Sequence, residues 1–173
     1  MSLLPAHFKA PLTALAIATA LFAPAAGAQT PATATPQQLR GNTLDGKAFD
    51  LQSLRGKVVM VVFWSTDCAV CRDKMPELRA NVKGWMGQPF ELVSVSTDRQ
   101  RSNAVGYQQL VNATVPSNQR FTTLWTGEPQ YRDSFGPTGQ LPAAFLLDKT
   151  GRLVEQYHGR IPPEAWDRIA DLL

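Results

Sequence analysis

The chain has 173 residues, of which 44% are hydrophobic and 18% are charged, and its formal net charge is +3. This composition is typical of one folded domain and excludes an intrinsically disordered chain. The small excess of positive charge, with no run of basic residues interleaved with aromatic ones, indicates no nucleic-acid partner. Because the sequence contains only two cysteines, Cys68 and Cys71, several disulfides cannot hold the fold together.

The first 28 residues are typical of a cleavable export signal. One cationic residue, Lys9, precedes an apolar run from Leu12 to Phe22, and the small-residue sequence Ala26-Gly27-Ala28 follows. The run is well short of the roughly 20 residues that a membrane-spanning helix needs. We therefore expect a periplasmic protein that is cleaved near Ala28 and keeps no stable membrane anchor.

Beyond the signal, residues 29–38 are rich in Pro, Thr and Ala and predict a flexible lead-in to a domain spanning residues 39–173. Within the domain, apolar runs that predict strands alternate with helical spacing. From the N-terminal side we predict a hairpin around Asp45-Gly46, a helical turn at Leu51 to Leu54, a buried central strand from Val58 to Trp64, a helix from Ala69 to about Trp85 that contains Pro76, and a buried strand from Phe90 to Ser96. We then predict a helix from about Ser102 to Val111, a short strand around Gln119 to Phe121, a brief helix from Glu128 to Phe135, a hairpin of Ala143 to Leu147 with Leu153 to His158, and a last helix after Pro162 and Pro163.

The two cysteines stand as Cys68-Ala69-Val70-Cys71 at a predicted strand-to-helix junction. The unpaired amide groups at a helix N-terminus stabilise a thiolate on the first sulfur. A disulfide between the two sulfurs would close a very short loop, and the stabilisation from loop closure grows with loop length. The pair is therefore better explained by thiol–disulfide chemistry than by stability.

Two segments carry a family resemblance. The first runs from Val58 to Leu78 and contains Phe63-Trp64, the Cys-x-x-Cys pair and Pro76; the second is Phe135-Gly136 followed by Leu141-Pro142 and the apolar strand and turn up to Gly151. Together they resemble the thioredoxin superfamily, and specifically the exported TlpA/ResA-type thiol–disulfide oxidoreductases. The resemblance implies an α/β, thioredoxin-like fold with a central mixed β-sheet flanked by helices, to which the N-terminal β-hairpin is an extension.

The resemblance also implies roles for individual residues. Cys68 would attack and Cys71 would resolve, so that a redox-active Cys68–Cys71 disulfide serves without a further cofactor or metal. Pro142 would follow a cis peptide bond and lie against the cysteines, with Leu141 offering backbone groups to a substrate. Trp64 would either line the substrate face or belong to the core.

By the same resemblance, the expected partners are protein thiols and disulfides and a membrane-bound electron donor. The expected activity is that of a reductase, and the expected pathway is cytochrome c maturation.

Three positions depart from the family pattern. Val62 and Lys74 stand where related proteins have an acidic residue, and Asp67 stands where an aromatic residue is common. A lysine directed at the sulfurs would favour thiolates and stabilise the dithiol, whereas a solvated lysine would not. Asp67 would oppose the thiolate, select cationic partners or simply be exposed. Lys74 and Asp67 are therefore candidates for tuning the ionisation of the thiols.

Three alternatives remain open at this stage. A Sco-like copper-delivery protein would bind copper through Cys68, Cys71 and His158, although the spacing of the cysteines is one residue shorter than in Sco-type proteins. A peroxidase is suggested by Ser65, three residues before Cys68, but Val61 stands where peroxiredoxin-like motifs have proline. The third alternative is a non-catalytic binding module that keeps the fold.

Overall fold

The structure, a computed structural model, describes residues 35–173. The predicted export signal and most of the predicted lead-in lie outside the described residues. Gln37 and Gln38, at the end of that lead-in, are bound to the domain: Gln37 N donates to the Gly151 carbonyl at 2.8 Å and Gln38 N to Ser134 Oγ at 2.9 Å. Between residues 35 and 173, no helix combines the length and the apolar character needed to cross a bilayer.

The main sheet has five strands and is built around a strand, β3, whose seven residues are all buried. Strands buried on both faces are expected to read as continuous apolar runs, which is how this strand was predicted. The strand order is β5-β4-β3-β7-β8. Strands β3, β4 and β5 run parallel to one another, β7 runs antiparallel to β3, and β8 runs antiparallel to β7. The strands are β3 (Val58–Trp64), β4 (Phe90–Ser96), β5 (Thr122–Trp125), β7 (Ala143–Leu147) and β8 (Leu153–His158).

A second sheet, of three short antiparallel strands, corrects one sequence prediction, and the start of β5 in the main sheet corrects another. The predicted hairpin is formed by β1 (Leu39–Asn42) and β2 (Ala48–Asp50), but β6 (Arg132–Asp133) pairs with the other side of β1. The helix predicted from Glu128 to Phe135 is therefore wrong. The strand predicted around Gln119 to Phe121 is also displaced, because β5 begins only at Thr122.

Helices occupy the remaining predicted positions. The 3₁₀ turn at Leu51–Leu54 begins where the Asp50 side chain accepts a hydrogen bond from Gln52 N, and a second 3₁₀ turn spans Ser117–Gln119. The α-helices are α1 (Ala69–Gly84), α2 (Arg101–Thr114) and α3 (Glu164–Leu172). The first and third agree with prediction, and α2 extends beyond its predicted ends on both sides.

The two faces of the main sheet carry separate cores, because successive residues of a strand point to opposite faces. One core joins the even-numbered residues of β3 to α1 and α3; it includes Met60, Val62, Trp64, Cys71, Met75, Leu78, Ala165 and Ile169. The other joins the odd-numbered residues of β3 to β1 and the first 3₁₀ turn; it includes Val59, Val61, Phe63, Leu39, Leu51, Val93, Phe145 and Leu147. The Cys-x-x-Cys helix is thus anchored on one face of the most buried strand.

The turn between β7 and β8 is held by one carboxylate, that of Asp148. Its Oδ1 accepts hydrogen bonds from Thr150 N at 2.8 Å, Thr150 Oγ1 at 2.7 Å and Arg152 N at 3.0 Å. Partial burial alone would raise the pKa of Asp148, but these hydrogen bonds and the positive charge of Arg152 outweigh it and lower the pKa below 3.8.

The variant Asp148→Ala is expected to lower the free energy of unfolding by about 1–2 kcal/mol at neutral pH, because the turn loses its hydrogen-bond acceptor. Since the folded pKa is depressed, the contribution of the carboxylate is present above the unfolded value of 3.8 and is lost as the pH falls through the folded value. Denaturant unfolding of both proteins from neutral to strongly acidic pH measures this. A difference in unfolding free energy that stays constant into acid would contradict the assignment.

Candidate active site

The two cysteines lie where the central strand gives way to a helix. β3 ends at Trp64, and α1 begins at Ala69 with Cys68 as its N-cap residue. Cys68 Sγ accepts a hydrogen bond from the backbone N–H of Cys71 at 3.0 Å, so one of the unpaired amide groups of the first helical turn points at this sulfur. The predicted junction is confirmed, and it sets Cys68 Sγ in the position that stabilises a thiolate.

The two sulfurs are joined in a disulfide but differ in access to solvent. The Cα atoms of Cys68 and Cys71 are 5.2 Å apart. Cys71 is 1% exposed and belongs to the core beneath the main sheet, whereas Cys68 is only partly buried and packs at the edge of that core. A reactant arriving from solvent therefore meets Cys68 first.

Pro142 lies at the end of the main sheet that carries the cysteines. The Leu141–Pro142 peptide bond is cis. Phe63 pairs with Ala143 in the antiparallel ladder between β3 and β7, so that Pro142, one residue earlier, adjoins the end of β3 from which the cysteine loop departs. Pro142 is buried and its carbonyl accepts from Gly159 N at 2.8 Å, while Leu141 is partly exposed.

Trp64 does not line a substrate face. Its side chain is 2% exposed and stacks on Tyr107 of α2 with ring centroids 4.6 Å apart. The indole Nε1 makes no hydrogen bond within residues 35–173. Of the two possibilities given for Trp64, the structure favours the core, because the even-numbered face of β3 on which it lies is covered by α1 and α2.

A buried carboxylate that the sequence analysis did not single out holds the loop before Cys68. Asp98 is 5% exposed, and its Oδ1 accepts from Thr66 N at 2.9 Å and from Thr66 Oγ1 at 2.6 Å. Its Oδ2 accepts from Ser96 Oγ at 2.7 Å, and its carbonyl accepts from Trp125 Nε1 at 2.7 Å. The signal that could have revealed it is the position of Asp98 just beyond β4, since the carboxyl ends of the parallel neighbours β3 and β4 meet at one edge.

Asp67, next to Cys68, is exposed and makes no hydrogen bond or ion pair with any residue in the described part of the chain. The preceding residue, Thr66, is fixed on both sides, because its carbonyl also accepts a hydrogen bond from the Arg72 guanidinium. Of the alternatives considered for Asp67, the structure therefore favours a free, solvated carboxylate on a rigid loop.

Lys74 is neither solvated nor unpaired. It is 5% exposed, and its Nζ lies 2.7 Å from Glu77 Oε2, one turn further along α1. Glu77 Oε1 accepts from Trp166 Nε1 at 3.1 Å, which links α1 to α3. Partial burial alone would raise the pKa of Glu77, but the hydrogen bonds from Lys74 and Trp166 and the positive charges of Lys74 and Arg160 outweigh it and lower the pKa below 4.5. Of the two possibilities given for Lys74, the structure excludes the solvated lysine, and a carboxylate compensates the ammonium.

The two members of this pair are expected to respond unequally to substitution. Glu77→Gln leaves the buried ammonium of Lys74 uncompensated and should lower the free energy of unfolding by about 1–3 kcal/mol, whereas Lys74→Met should change it by less than about 1 kcal/mol. Cys71 and Lys74 are three residues apart on one helix face, so the uncompensated charge should also favour the thiolates. We expect Glu77→Gln to raise the reduction potential by up to about 30 mV.

Denaturant unfolding and equilibration with glutathione buffers measure the two effects. Asp73→Asn is the matched control on the same helix, because Asp73 pairs with Arg160 at 3.3 Å and both side chains are about two-thirds exposed, at 65% and 66%. An exposed ion pair of this kind contributes little to the free energy of unfolding. Equal effects of Glu77→Gln and Asp73→Asn would show that the burial of Lys74 has no consequence.

The copper site weighed as an alternative is not assembled. His158 lies on β8, which β7 separates from β3 in the main sheet. Its Nδ1 is 3.1 Å from the Thr138 carbonyl oxygen. Among the residues that the structure describes, no group of three or more His, Cys, Asp or Glu side chains is placed to hold a metal ion. No geometric observation therefore favours a metal-delivery role.

Comparison with known proteins agrees with this geometry. The model of the AhpC/TSA family matches residues 26–165. Thiol-disulfide oxidoreductase ResA of Bacillus thuringiensis (strain Al Hakam) is 28% identical over 116 residues, which are 67% of this chain and 63% of the relative. The same protein of Bacillus subtilis (strain 168) is 24% identical over 115 residues, which are 66% of this chain and 60% of the relative. The chain thus aligns with less than two thirds of the length of these relatives.

Solved structures show the same fold. A thiol:disulfide interchange protein of the thioredoxin family from Chlorobium tepidum TLS superposes with a TM-score of 0.63 at 24% identity, over 81% of this chain and 96% of that one. A DsbF homologue from Corynebacterium diphtheriae superposes with a TM-score of 0.61 at 20% identity, over 80% and 85% of the two chains. The predicted thioredoxin-like fold is confirmed.

Proposed function

Because the chain belongs to the AhpC/TSA family, we propose that it is a thiol–disulfide oxidoreductase that exchanges disulfides with protein cysteines through Cys68 and Cys71. One observation carries the proposal: Cys68 is partly exposed and its Sγ accepts the Cys71 N–H at 3.0 Å, while Cys71 is buried one turn inward. Such an asymmetric pair has one sulfur that can attack and a second that can displace the product.

In the reducing direction, the Cys68 thiolate attacks one sulfur of a client disulfide. The client S–S bond breaks, its other sulfur leaves as a thiolate, and a mixed disulfide with Cys68 forms. Cys71 then gives up its proton and attacks Cys68 Sγ, which breaks the mixed disulfide and forms the Cys68–Cys71 bond present in the structure. Two electrons pass to the client, whose two thiolates take up protons. A thiol donor must return two electrons before the next cycle.

The backbone beside the pair supplies the surface on which a client chain would lie. Leu141 is partly exposed, and Pro142 adjoins the end of β3 from which the cysteine loop departs. We assign the backbone groups of Leu141 to client binding and assign Pro142 to positioning them. Support for this assignment comes from the ladder register and from the family resemblance of the segment.

The cellular role is proposed on the sequence. The leader before Ala28 supports export to the periplasm, where a membrane-bound donor would keep the pair reduced. The resemblance to TlpA/ResA-type proteins supports a reductase that serves cytochrome c maturation. The name of the relatives, thiol-disulfide oxidoreductase, supports the exchange activity.

Two measurements test the proposal. The reduced protein should transfer two electrons to a protein disulfide, and its reduction potential in glutathione buffers should lie nearer that of thioredoxin, about −270 mV, than that of DsbA, about −120 mV. A potential near −120 mV with rapid oxidation of unfolded thiols would overturn the reductase direction. Rapid consumption of hydroperoxide by Cys68 without exchange with protein disulfides would overturn the activity itself.

A further inference from the structure

A shallow surface groove, open to solvent over most of its extent, lies beside the cysteine loop. Thr66 and Asp67 form one wall, and α2 forms the other, with Ser102, Asn103, Gly106 and Leu110 among its lining residues. The first wall is rigid, because Asp98 and Arg72 bind the backbone of Thr66. The groove therefore has one rigid wall, which precedes Cys68 directly in the chain. Cys68, Cys71, Leu141 and Pro142 are not among its lining residues.

Gly106 keeps the groove open at a cost to the helix that carries it. It lies in the interior of α2, where glycine destabilises a helix by about 1 kcal/mol relative to alanine. No unusual backbone angle requires it, since Gly106 is not among the glycines with positive φ. No atom lies within 4 Å of where its Cβ would stand. A side chain at this position would instead project into the groove.

The groove carries one charge and one large apolar group. Asp67 is its only charged lining residue and has no partner among residues 35–173. Leu110, on α2, is 59% exposed and offers the groove an apolar side chain. Ser102 and Asn103 add a hydroxyl and an amide group to the lining, and both groups can hydrogen-bond to a polypeptide backbone.

We propose that this groove binds the extended segment of the client polypeptide next to its reacting cysteine, with a client lysine or arginine facing Asp67. The proposal rests on the thiol–disulfide exchange proposed above and names the client class: proteins whose reactive cysteine is flanked by a cationic residue. The α2 wall from Ser102 to Leu110 is about 12 Å long at 1.5 Å per residue, which accommodates three or four extended residues at about 3.3 Å each. Two observations identify the occupant: Asp67 offers a carboxylate without a partner among residues 35–173, and it directly precedes Cys68, to which the client is joined during exchange.

The first test fills the groove. In a Cys71→Ser background, the reduced protein is mixed with a Lys-flanked cysteine peptide activated as its 2-pyridyl disulfide, and release of pyridine-2-thione reports attack by Cys68. The rate with the peptide is divided by the rate with a small neutral 2-pyridyl disulfide. Gly106→Leu should lower this ratio by about tenfold, the equivalent of the contacts that the peptide loses. An unchanged ratio would overturn the proposal.

Gly84→Leu is the matched control. Gly84 ends α1, has no atom within 4 Å of its Cβ position and lies outside the groove. This variant should leave the ratio unchanged. An equal fall of the ratio in both variants would assign the effect to the added leucine and overturn the proposal that the groove binds the client.

The second test changes only charge. With the original Asp67, a Lys-flanked peptide should react about two- to fivefold faster than the same peptide carrying Glu, as expected for an exposed ion pair. Asp67→Asn should abolish this preference, and so should high salt. A preference that survives in Asp67→Asn would overturn the role of the carboxylate. Failure to react with the small disulfide as well would contradict the proposed function, whereas loss of peptide discrimination alone contradicts only the groove.

Discussion

Replacing Cys71 with serine is expected to turn a transient mixed disulfide at Cys68 into a stable conjugate with client proteins. Cys68 remains partly exposed at the helix N-terminus, so it can still attack, but no second sulfur is left to release the product. When Cys71→Ser is expressed in its native host, non-reducing electrophoresis should show conjugates that disappear on reduction. Mass spectrometry of these conjugates would identify the clients and show whether their cysteines are flanked by cationic residues.

The matched control is Cys68→Ser, which keeps the inner sulfur and removes the outer one. Because a serine hydroxyl stays protonated at neutral pH and is a poor nucleophile towards disulfides, we expect disulfide exchange to fall by at least about a thousandfold. Conjugates formed through Cys71 in this variant would contradict the assigned order of attack. So would alkylation kinetics in which Cys68 of the reduced protein is inert at neutral pH.

The central strands and their helices could be predicted because their own residues determine them. The run from Val58 to Trp64 is apolar throughout, as a strand covered on both faces must be. The change to helical spacing at Ala69 located the N-terminus of α1 correctly, and with it the relation of Cys68 to that helix. Where one element buries a continuous apolar surface, the pattern along the chain is sufficient.

The elements that were missed depend on partners distant in sequence. Arg132–Asp133 is a strand of two exposed residues that exists only because β1 offers it an edge. The segment therefore has no apolar period from which a strand could be predicted, and the sequence from Glu128 to Phe135 predicts a helix instead. β5 likewise depends on its parallel pairing with β4, which the periodicity of the segment before Thr122 does not reveal.

The positions of the site residues, too, could be predicted only where neighbouring residues in the chain determine them. Trp64 ends a strand buried on both faces, so alternation along the chain could not say whether its ring meets solvent or α2. Lysine is rarely buried without a partner, so the sequence leaves open whether Lys74 is solvated. Its partner Glu77 is only three residues away, but the same carboxylate also accepts from Trp166 of α3, a contact across 89 positions of the chain.

Asp98 is the most consequential residue that the sequence did not reveal, because its function depends on a contact with Thr66 across 32 positions of the chain. The Asp98→Ala variant is expected to lower the free energy of unfolding by about 3–5 kcal/mol. Three donors lose their acceptor: Thr66 N, Thr66 Oγ1 and the buried Ser96 Oγ. Each hydrogen bond to a charged group contributes about 1.5–3 kcal/mol. The expected loss is smaller than the sum over three bonds, because the substitution also removes the cost of burying the carboxylate. Denaturant unfolding of the oxidised protein measures this loss.

Loss of Asp98 should also lower the reactivity of the Cys68 sulfur. Thr66 stands two residues before Cys68, so a freed loop no longer fixes the Cys68 side chain over the first turn of α1. We expect alkylation of reduced Asp98→Ala to slow by about tenfold at neutral pH and its pH profile to move towards alkaline pH. Thr97→Val is the matched control, because Thr97 Oγ1 binds the Trp64 carbonyl at 3.1 Å without touching the loop after Ser65. If Thr97→Val shifted the alkylation profile as far as Asp98→Ala does, a general loosening of the sheet edge would explain both. If Asp98→Ala lost stability but kept the original profile, Asp98 would stabilise the fold without positioning Cys68.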